Sequence, residues 1–343
     1  MARPSLRELE PTTIHRLVDD AEDSRVLRAE LLARLHRVVQ FDWYAWVLTD
    51  PTTSVGVDPL AEIPELAELP GTIRLKYLTA FNRWTSLTEP ATLGSRAAES
   101  LLWREAQAQH GVVDVASVAL RDRCGCWGFL DLWSTRPYAV QVPVLLGELA
   151  PQLTHAMRLV RAKSFHVPGD QAPPPSKPLV LVFGDDLSVL DQAEGSQEWL
   201  RLLLPQPDGS TPIPACALNV AAQLLAVEEG IDDNPAMARM PLPGGAWVTL
   251  RASRLEPRHA IAVTLEWTTG ADRLDMFGRA HGLSPRENQI LGVLATGADT
   301  AATAEHLHLS PHTVQDHLKS VFAKTGDHSR RELLARALGS PSF

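Results

Sequence analysis

Near the end of the chain, a short pattern carries the side chains most suited to recognising another molecule. From Ser310-Pro311 onward the sequence predicts a helix whose apolar face consists of Val314, Leu318, Val321 and Phe322. Its opposite face presents His312, Gln315, Asp316, Lys319 and Ala323. Such a helix can enter the major groove of DNA while its apolar face holds it in a bundle. Many small helical bundles share this pattern, so the spacing alone leaves the function open.

Three further helices are predicted around this one. The sequence Ser284-Pro285-Arg286-Glu287 supplies an N-cap, a proline suited to the first helical position and the acid of a capping box. Gly297 is suited to end that helix. A short helix follows at about 300–306, and a last one covers about 330–338. The tail is therefore expected to be an all-α domain of four short helices with tight connections.

Residues 282–343 resemble the helix-turn-helix domain of LuxR-type transcription regulators. The residues that carry the resemblance lie in one register without a gap: Leu283, Ser284, Pro285, Arg286, Glu287, Leu291, Gly297, Ala304, Leu307, Ser310, Pro311, Thr313, Val314, His317, Leu318, Lys324 and Arg330. The resemblance implies a DNA-binding transcription regulator in which a linker at 269–281 precedes this domain.

The resemblance also implies roles for single residues. The helix that begins at Ser310 is the recognition helix of the family, and His312, Gln315, Asp316 and Lys319 lie on its DNA-facing side. Glutamine suits adenine, aspartate accepts from cytosine, and lysine reaches guanine. Thr313, Lys324 and Arg330 are better placed for phosphate or positioning contacts. The partner is double-stranded DNA, bound by a homodimer that the last helix helps to form.

Two positions depart from the family pattern. Thr303 and Thr325 stand where the family usually has large aliphatic residues. Burying an aliphatic side chain fully contributes about 1.5–3 kcal/mol, so the two threonines are expected to weaken a small core.

The first 165 residues are predicted to form an α/β domain. VASVALRDRCGCWGFLDLW at 115–133 indicates a strand hairpin, and LLGELAPQLTHAMR at 145–158 indicates a helix after it. Together with FDWYAWVLTDPTT at 41–53, these segments resemble GAF domains of actinobacterial regulators. The resemblance implies a sensor domain over residues 1–165.

A proline-rich segment at 166–178 predicts a linker, because successive prolines fit neither a helix nor a central strand. Residues 179–268 then show two strands, helices and a closing pair of strands, an order that resembles a PAS-like domain. The predicted fold class is thus α/β GAF-like and PAS-like sensor domains followed by an all-α, four-helix LuxR-type helix-turn-helix domain.

Tryptophans of the GAF-like part are candidates for lining an effector pocket. The candidates are Trp43, Trp46, Trp84 and Trp127. Aromatic side chains line many small-molecule sites, and they also fill ordinary cores. A small-molecule effector is therefore expected, but the sequence does not indicate which molecule it is.

Composition limits the class of protein further. The net charge is −9, yet basic and acidic residues balance from His281 to the end, so the excess acid lies outside the predicted DNA-binding part. No apolar run approaches the roughly 18 residues of a membrane span, and no signal-peptide core follows Met1. A cytoplasmic protein without a membrane partner is expected, and its three cysteines are too few for a disulfide framework.

Alternative functions are weighed against the same residues. The sequence has no phosphate-binding glycine loop, no paired nucleophile and base, and no metal-ligand set, so no enzyme, cofactor or metal site is predicted. An interaction or antagonist protein, whose tail no longer binds DNA, stays open because the tail is neutral. A quorum sensor for acyl-homoserine lactones would share the tail but needs a different N-terminal domain.

Overall fold

The structure is a computed structural model that describes residues 9–64, 68–166, 175, 177, 179–204, 210–256 and 260–339. Contacts group the chain into two compact units. The first unit draws on residues 1–157, 174–240 and 249–266, and the second on residues 158–173, 241–248 and 267–343. Most of the predicted linker at 166–178 lies outside the described residues.

The first of two five-stranded sheets in the described residues, sheet A, lies in the region predicted to be GAF-like. Its strands are β1 (Trp43–Thr49), β2 (Gly56–Glu62), β3 (Ala91–Thr92), β4 (Asp114–Asp122) and β5 (Gly125–Ser134). They pair antiparallel in the order β2-β1-β5-β4-β3. The three strands predicted here are confirmed as β1, β4 and β5. Gly125 enters the β4–β5 turn with a φ of 141°, and a Cβ there would collide with the carbonyl of Pro51.

Four α-helices of the described residues precede, separate or follow the strands of sheet A in the chain. They are α1 (Pro11–Asp20), α2 (Ser24–Leu35), α3 (Leu69–Leu78) and α4 (Gln141–Lys163). The helix predicted at 145–158 is confirmed by α4, whereas the sequence patterns predict neither α3 nor β2. Each helix in the described ranges is too short or too polar to cross a membrane.

The second sheet, sheet B, lies in the region predicted to be PAS-like. Its strands are β6 (Leu179–Phe183), β7 (Val189–Gln192), β8 (Met237–Pro241), β9 (Trp247–Leu255) and β10 (Ala260–Trp267). Helices α5 (Ser196–Leu203) and α6 (Ala215–Glu228) lie between β7 and β8 in the chain. The order β7-β6-β10-β9-β8 is the order of sheet A repeated. All the predicted elements of this part are present, and only β8 is additional.

Buried ion pairs link the two sheet-containing parts within the first unit. Arg239 donates to the Asp50 carboxylate from Nε (2.8 Å) and Nη2 (3.0 Å), and both side chains are at most 4% exposed. Arg83 donates from Nε to Asp232 Oδ2 (2.7 Å) in an equally buried place. In addition, α6 packs against α3 and β2. The predicted boundaries of separate GAF-like and PAS-like domains stay predictions, since both parts contribute to one compact unit.

Five whole helices lie in the described residues of the second unit, besides the last residues of α4. They are α7 (Gly270–Ala280), α8 (Pro285–Leu294), α9 (Thr300–His306), α10 (Pro311–Thr325) and α11 (Arg330–Leu338). The last four are the predicted four-helix tail. The predicted linker at 269–281, however, folds as α7, because Thr269 caps it and Met276, Phe277 and Ala280 give it a buried face.

A buried guanidinium joins α7 to the end of α11. Arg273 is 4% exposed and donates to the carbonyl oxygens of Gly245 (2.7 Å), Arg336 (3.0 Å) and His166 (3.3 Å). Because carbonyls in the last turn of a helix lack intrahelical partners, the bond to Arg336 caps α11 with a positive charge. Helix α7 is therefore a packed element of the second unit.

We predict that replacing Asp50 with alanine lowers the free energy of unfolding of the first unit by about 3–5 kcal/mol, because Arg239 would stay charged and buried without its partner. Urea unfolding followed by circular dichroism measures the effect. The matched control is Glu99→Ala, which breaks an exposed, solvent-screened ion pair with Arg96 and should leave the unfolding curve close to that of the wild type. Equal losses in both variants would contradict the prediction.

Candidate nucleic-acid interface

Helices α9 and α10 form a helix-turn-helix with capped starts. The side chains of Asp299 and Ser310 accept a backbone N–H three residues further on, at 2.8 and 3.0 Å. In the turn between the helices, His308 has a φ of 53°, and the N–H of Leu309 donates back to Ala304 at 2.8 Å. The turn thus closes α9 and fixes the direction in which α10 leaves.

Helix α10 has the two faces that its sequence predicts. Val314, Leu318 and Val321 are buried. The opposite face is open to solvent, with side-chain exposures of 81% for His312, 74% for Lys319 and 53% for Asp316, and Gln315 is exposed beside them. The polar groups that could reach base edges therefore lie on one accessible face of one helix.

Asp316 is the centre of a small charge network on this face. Its carboxylate lies 3.1 Å from Lys319 Nζ and 3.4 Å from His312 Nε2, one helical turn away on either side. The hydrogen bond from Lys319 lowers the pKa of Asp316, so this acid is ionised at neutral pH. The exposed face of α10 thus pairs one acid with one lysine and carries little net positive charge.

Beneath this face, a buried carboxylate ties α8 to α10. Glu287 is 4% exposed and completes the predicted capping box, which is confirmed: it accepts the N–H of Ser284 at 2.6 Å, and Ser284 Oγ accepts the N–H of Glu287 at 3.2 Å. From α10, Ser320 Oγ donates to it at 2.7 Å and Lys324 Nζ at 2.6 and 2.8 Å. One carboxylate therefore joins the start of one helix to the middle and end of another.

These bonds govern the ionisation of Glu287. Burial acts to raise the pKa of its carboxyl, but the hydrogen bonds from Lys324, Ser284 and Ser320 outweigh it and lower the pKa to about 2. The charged form is therefore the form that the folded bundle requires.

The residues predicted to contact phosphate have internal partners. Lys324 is held by Glu287 and keeps a third of its side chain exposed. Arg330 donates from Nη2 to Thr300 Oγ1 at 2.9 Å, which links the first residue of α11 to the first residue of α9. Thr313 is half-buried, and its N–H caps onto Ser310. Their roles at phosphates remain predictions, and each also has a structural contact.

Sequence reasoning missed several side chains that support this geometry. Ser320 shares a stripe of α10 with Lys324, four residues later, and this spacing was the signal that could have revealed it. Arg286 donates to the carbonyl of Leu307 at 2.8 Å and so fastens the end of α9 to α8. Arg336 pairs with the buried Asp327 at 2.7 Å. No local pattern indicates these last two contacts, because their partners are 21 and 9 residues apart and share no turn of one helix.

The two threonines that depart from the family pattern are buried with local hydrogen bonds. Thr303 Oγ1 donates to the carbonyl of Asp299 at 2.6 Å, and Thr325 Oγ1 accepts the N–H of Asp327 at 3.4 Å. Satisfied hydroxyls cost much less to bury than unpaired ones. The weakening expected from these positions is therefore limited to lost apolar volume.

Of the four tryptophans predicted to line an effector pocket, three are buried and one is half-buried, and their role at a pocket stays a prediction. Trp46, Trp84 and Trp127 are at most 2% exposed, and Trp43 packs on a cluster around Trp133. An apolar cavity on sheet A is lined by Trp133 and by none of the four. In the described ranges, no three His, Cys, Asp or Glu side chains form a group able to hold a metal ion.

Comparison with known families agrees with the geometry. Residues 281–337 match the family described as "Bacterial regulatory proteins, luxR family". The chain therefore carries a luxR-family helix-turn-helix domain, formed by α8 to α11, in its C-terminal part. This match defines the class of the domain as DNA-binding.

Single relatives are similar over smaller or more distant regions. The probable HTH-type transcriptional regulator GfsR of Streptomyces halstedii is 33% identical over 87 residues, which are 22% of this chain and 36% of that protein. The chain thus spans about a third of the curated relative that it matches. Escherichia coli SdiA is 14% identical with a TM-score of 0.33, covering 97% of this chain and 98% of that one. Vibrio cholerae VqmA is 16% identical with a TM-score of 0.18, covering 48% and 82%.

We predict that Glu287→Gln lowers the stability of the second unit at pH 7 by about 1.5–3 kcal/mol, the contribution of hydrogen bonds to a charged group. Since folding lowers this pKa from 4.5 to about 2, the carboxylate stabilises fully above pH 4.5, and its contribution is lost as pH falls towards 2. The difference in stability between the wild type and the variant should therefore become smaller as the pH falls from 4.5 to 2.

Thermal unfolding followed by circular dichroism at several pH values measures this difference. Glu305→Gln is the matched control, because Glu305 lies exposed on α9, and its midpoint should stay within experimental error of the wild type at pH 7. If the wild type still unfolds at a higher temperature than the variant by the same margin at pH 2, the role given to Glu287 is contradicted.

Proposed function

We propose that this protein is a transcription regulator that binds a DNA operator through the exposed face of α10 and responds to a small-molecule effector through its first unit. The exposed polar face of α10, within a luxR-family domain, carries the proposal. The protein acts by binding and not as an enzyme. It is a cytoplasmic regulator with no cofactor and no membrane partner.

Base recognition falls to Gln315, Asp316 and Lys319. Lys319 is 74% exposed and paired only with the exposed Asp316 at 3.1 Å among the contacts described. Solvent screens an exposed ion pair of this kind, so DNA can displace it easily. His312, at the start of the same face, extends the contact. Free of Lys319, Asp316 can accept from a cytosine amino group.

Phosphate and positioning contacts fall to Thr313, Lys324 and Arg330. Lys324 can touch a phosphate with its exposed third while Glu287 holds it, which would fix the lysine before DNA arrives. Arg330 is held in the same manner by Thr300. Contacts of this type set the register of the protein on the duplex without carrying sequence information.

Charge balance supports binding as a homodimer. Asp316 offsets Lys319 and Glu287 offsets Lys324, so a single domain offers few free positive charges to the backbone. Affinity for DNA depends strongly on neutralised phosphates, and two domains on a two-fold site double that number. If α11 contributes to the dimer, it must use the side with Arg331 and Glu332, because Leu333, Leu334 and Ala337 are buried within the unit.

Effector sensing is assigned to the GAF-like and PAS-like parts. Two five-stranded antiparallel sheets with the same strand order support this assignment, as does the apolar cavity on sheet A. The domain boundaries 1–165, 179–268 and 282–343 belong to this proposal.

The test is selection of genomic DNA fragments by the purified full-length protein at two salt concentrations. We expect enrichment of a two-fold-symmetric site, weaker at high salt because bound cations are released from the phosphates. Lys319→Ala should weaken binding to that site by about 1–3 kcal/mol, or about five- to 150-fold, the value of a good base contact. Titration of a labelled fragment measures the loss.

Arg16→Ala is the matched control, because it removes one exposed positive charge from α1, outside the luxR-family domain. Its affinity should equal that of the wild type. If both variants lose affinity equally, the contact is a general charge effect and not a base contact. If no sequence is enriched at either salt, the tail does not bind DNA in this state, and an interaction or antagonist role replaces the proposal.

A further inference from the structure

An apolar cavity lies on sheet A within the first unit. Its floor is formed by side chains of β1 and β5, among them Ala45 and Phe129, and α3 and α6 supply its walls. Its volume is about 60 Å³. Because α6 lies between two strands of sheet B in the chain, the cavity joins residues from both sheet-containing parts.

One buried polar group that lines this cavity has no hydrogen-bond partner among the described residues. The indole Nε1–H of Trp133 is buried without an acceptor, and Trp133 is 4% exposed. Asn219, on α6, also lines the cavity and is 5% exposed, so its amide is a second polar group at the same place. Most buried polar groups in folded proteins are paired, so an unpaired donor at a cavity needs an explanation.

The charged groups at the cavity, in contrast, are already paired. Lys76 Nζ donates to Asp131 Oδ2 at 2.6 Å, and Ser117 Oγ donates to Asp131 Oδ1 at 2.7 Å. The lysine also lies over the rings of Trp84 and Phe129, at 5.5 and 5.1 Å from their centroids. A charged ligand would therefore meet no free counter-charge here, whereas a neutral one would leave the ion pair intact.

We propose that this cavity binds a short, neutral, mainly apolar molecule with one carbonyl group, whose oxygen accepts the indole N–H of Trp133 and whose polar end contacts the amide of Asn219. A site for one water needs roughly 10–15 Å³ on the same measure of volume. The cavity thus holds a ligand of about four to six non-hydrogen atoms. The inference rests on the sensing role proposed for the first unit and identifies the class of effector.

The site also suggests how an effector would act on both sheets. Asn219 is on α6, which packs against α3 and β2, and Trp133 is on β5. A ligand that bridges the two residues adds a bond between the GAF-like and PAS-like parts. Occupancy therefore favours the arrangement in which α6 stays against sheet A.

The test uses full-length protein with ¹⁵N-labelled tryptophan and no DNA, so its outcome is independent of operator binding. The probes are 2-pentanone and n-pentane, of about the same size, of which only the ketone has an acceptor. We expect 2-pentanone to shift one indole N–H resonance downfield in a saturable manner. Trp133→Phe should remove that resonance and weaken ketone binding at least about fivefold, the loss of one hydrogen bond.

Two matched variants locate the binding. Ala45→Val narrows the cavity and should abolish the shift, while Ala119→Val, on β4 outside the cavity lining, should leave it unchanged. Thermal unfolding verifies that both variants are folded, and if Ala45→Val is not, Asn219→Ala replaces it with an expected weakening of ketone binding.

The proposal is overturned if neither probe shifts the Trp133 resonance, if pentane and ketone produce the same shift, or if Ala45→Val and Ala119→Val bind alike. Since DNA selection is a separate measurement, the loss of this proposal would leave operator binding untouched. Equally, a chain that fails to select DNA could still bind the ketone.

Discussion

The carboxylate of Glu287 is the interaction on which the DNA-binding part depends. It is buried at the start of α8 and receives Ser320 and Lys324 from α10. A buried charge is stable only when its hydrogen bonds are complete, so the carboxylate fixes α10 in both distance and rotation. The exposed face of α10 points outward because its other side is held in this way. One ionised group therefore takes part both in capping α8 and in holding α10, together with the buried apolar face of α10.

The lysines of α10 are paired with acids in the same domain. Lys324 forms an ion pair with the buried Glu287, and Lys319 forms one with the exposed Asp316. A helix with little free positive charge attracts DNA weakly without regard to sequence, because non-specific binding rests on the phosphates. In the proposed complex with DNA, the hydrogen-bonding side chains of α10 would therefore gain most on the correct bases. A single domain would then bind DNA with more selectivity than strength.

In the first unit, buried ion pairs hold together the two sheet-containing parts. Asp50 with Arg239 and Asp232 with Arg83 join segments almost 150 residues or more apart, and α6 covers sheet A from the second part of the chain. Separating the two sheet-containing parts would expose or orphan these charges, which is costly. An effector bound under α6 would thus act on a unit that already resists separation.

The sequence by itself determined the helix-turn-helix domain, its caps and the polar face of α10, because these depend on neighbours three or four residues apart. It also determined most strands of both sheets, since alternation and turn residues are local signals. Tertiary structure decided the rest. The partners of Lys324 and Arg330, the helix at 270–280 and the cavity lined by Trp133 depend on contacts between residues far apart in the chain. Local periodicity contains no information on which distant side chain will complete a buried hydrogen bond, and packing alone settles it.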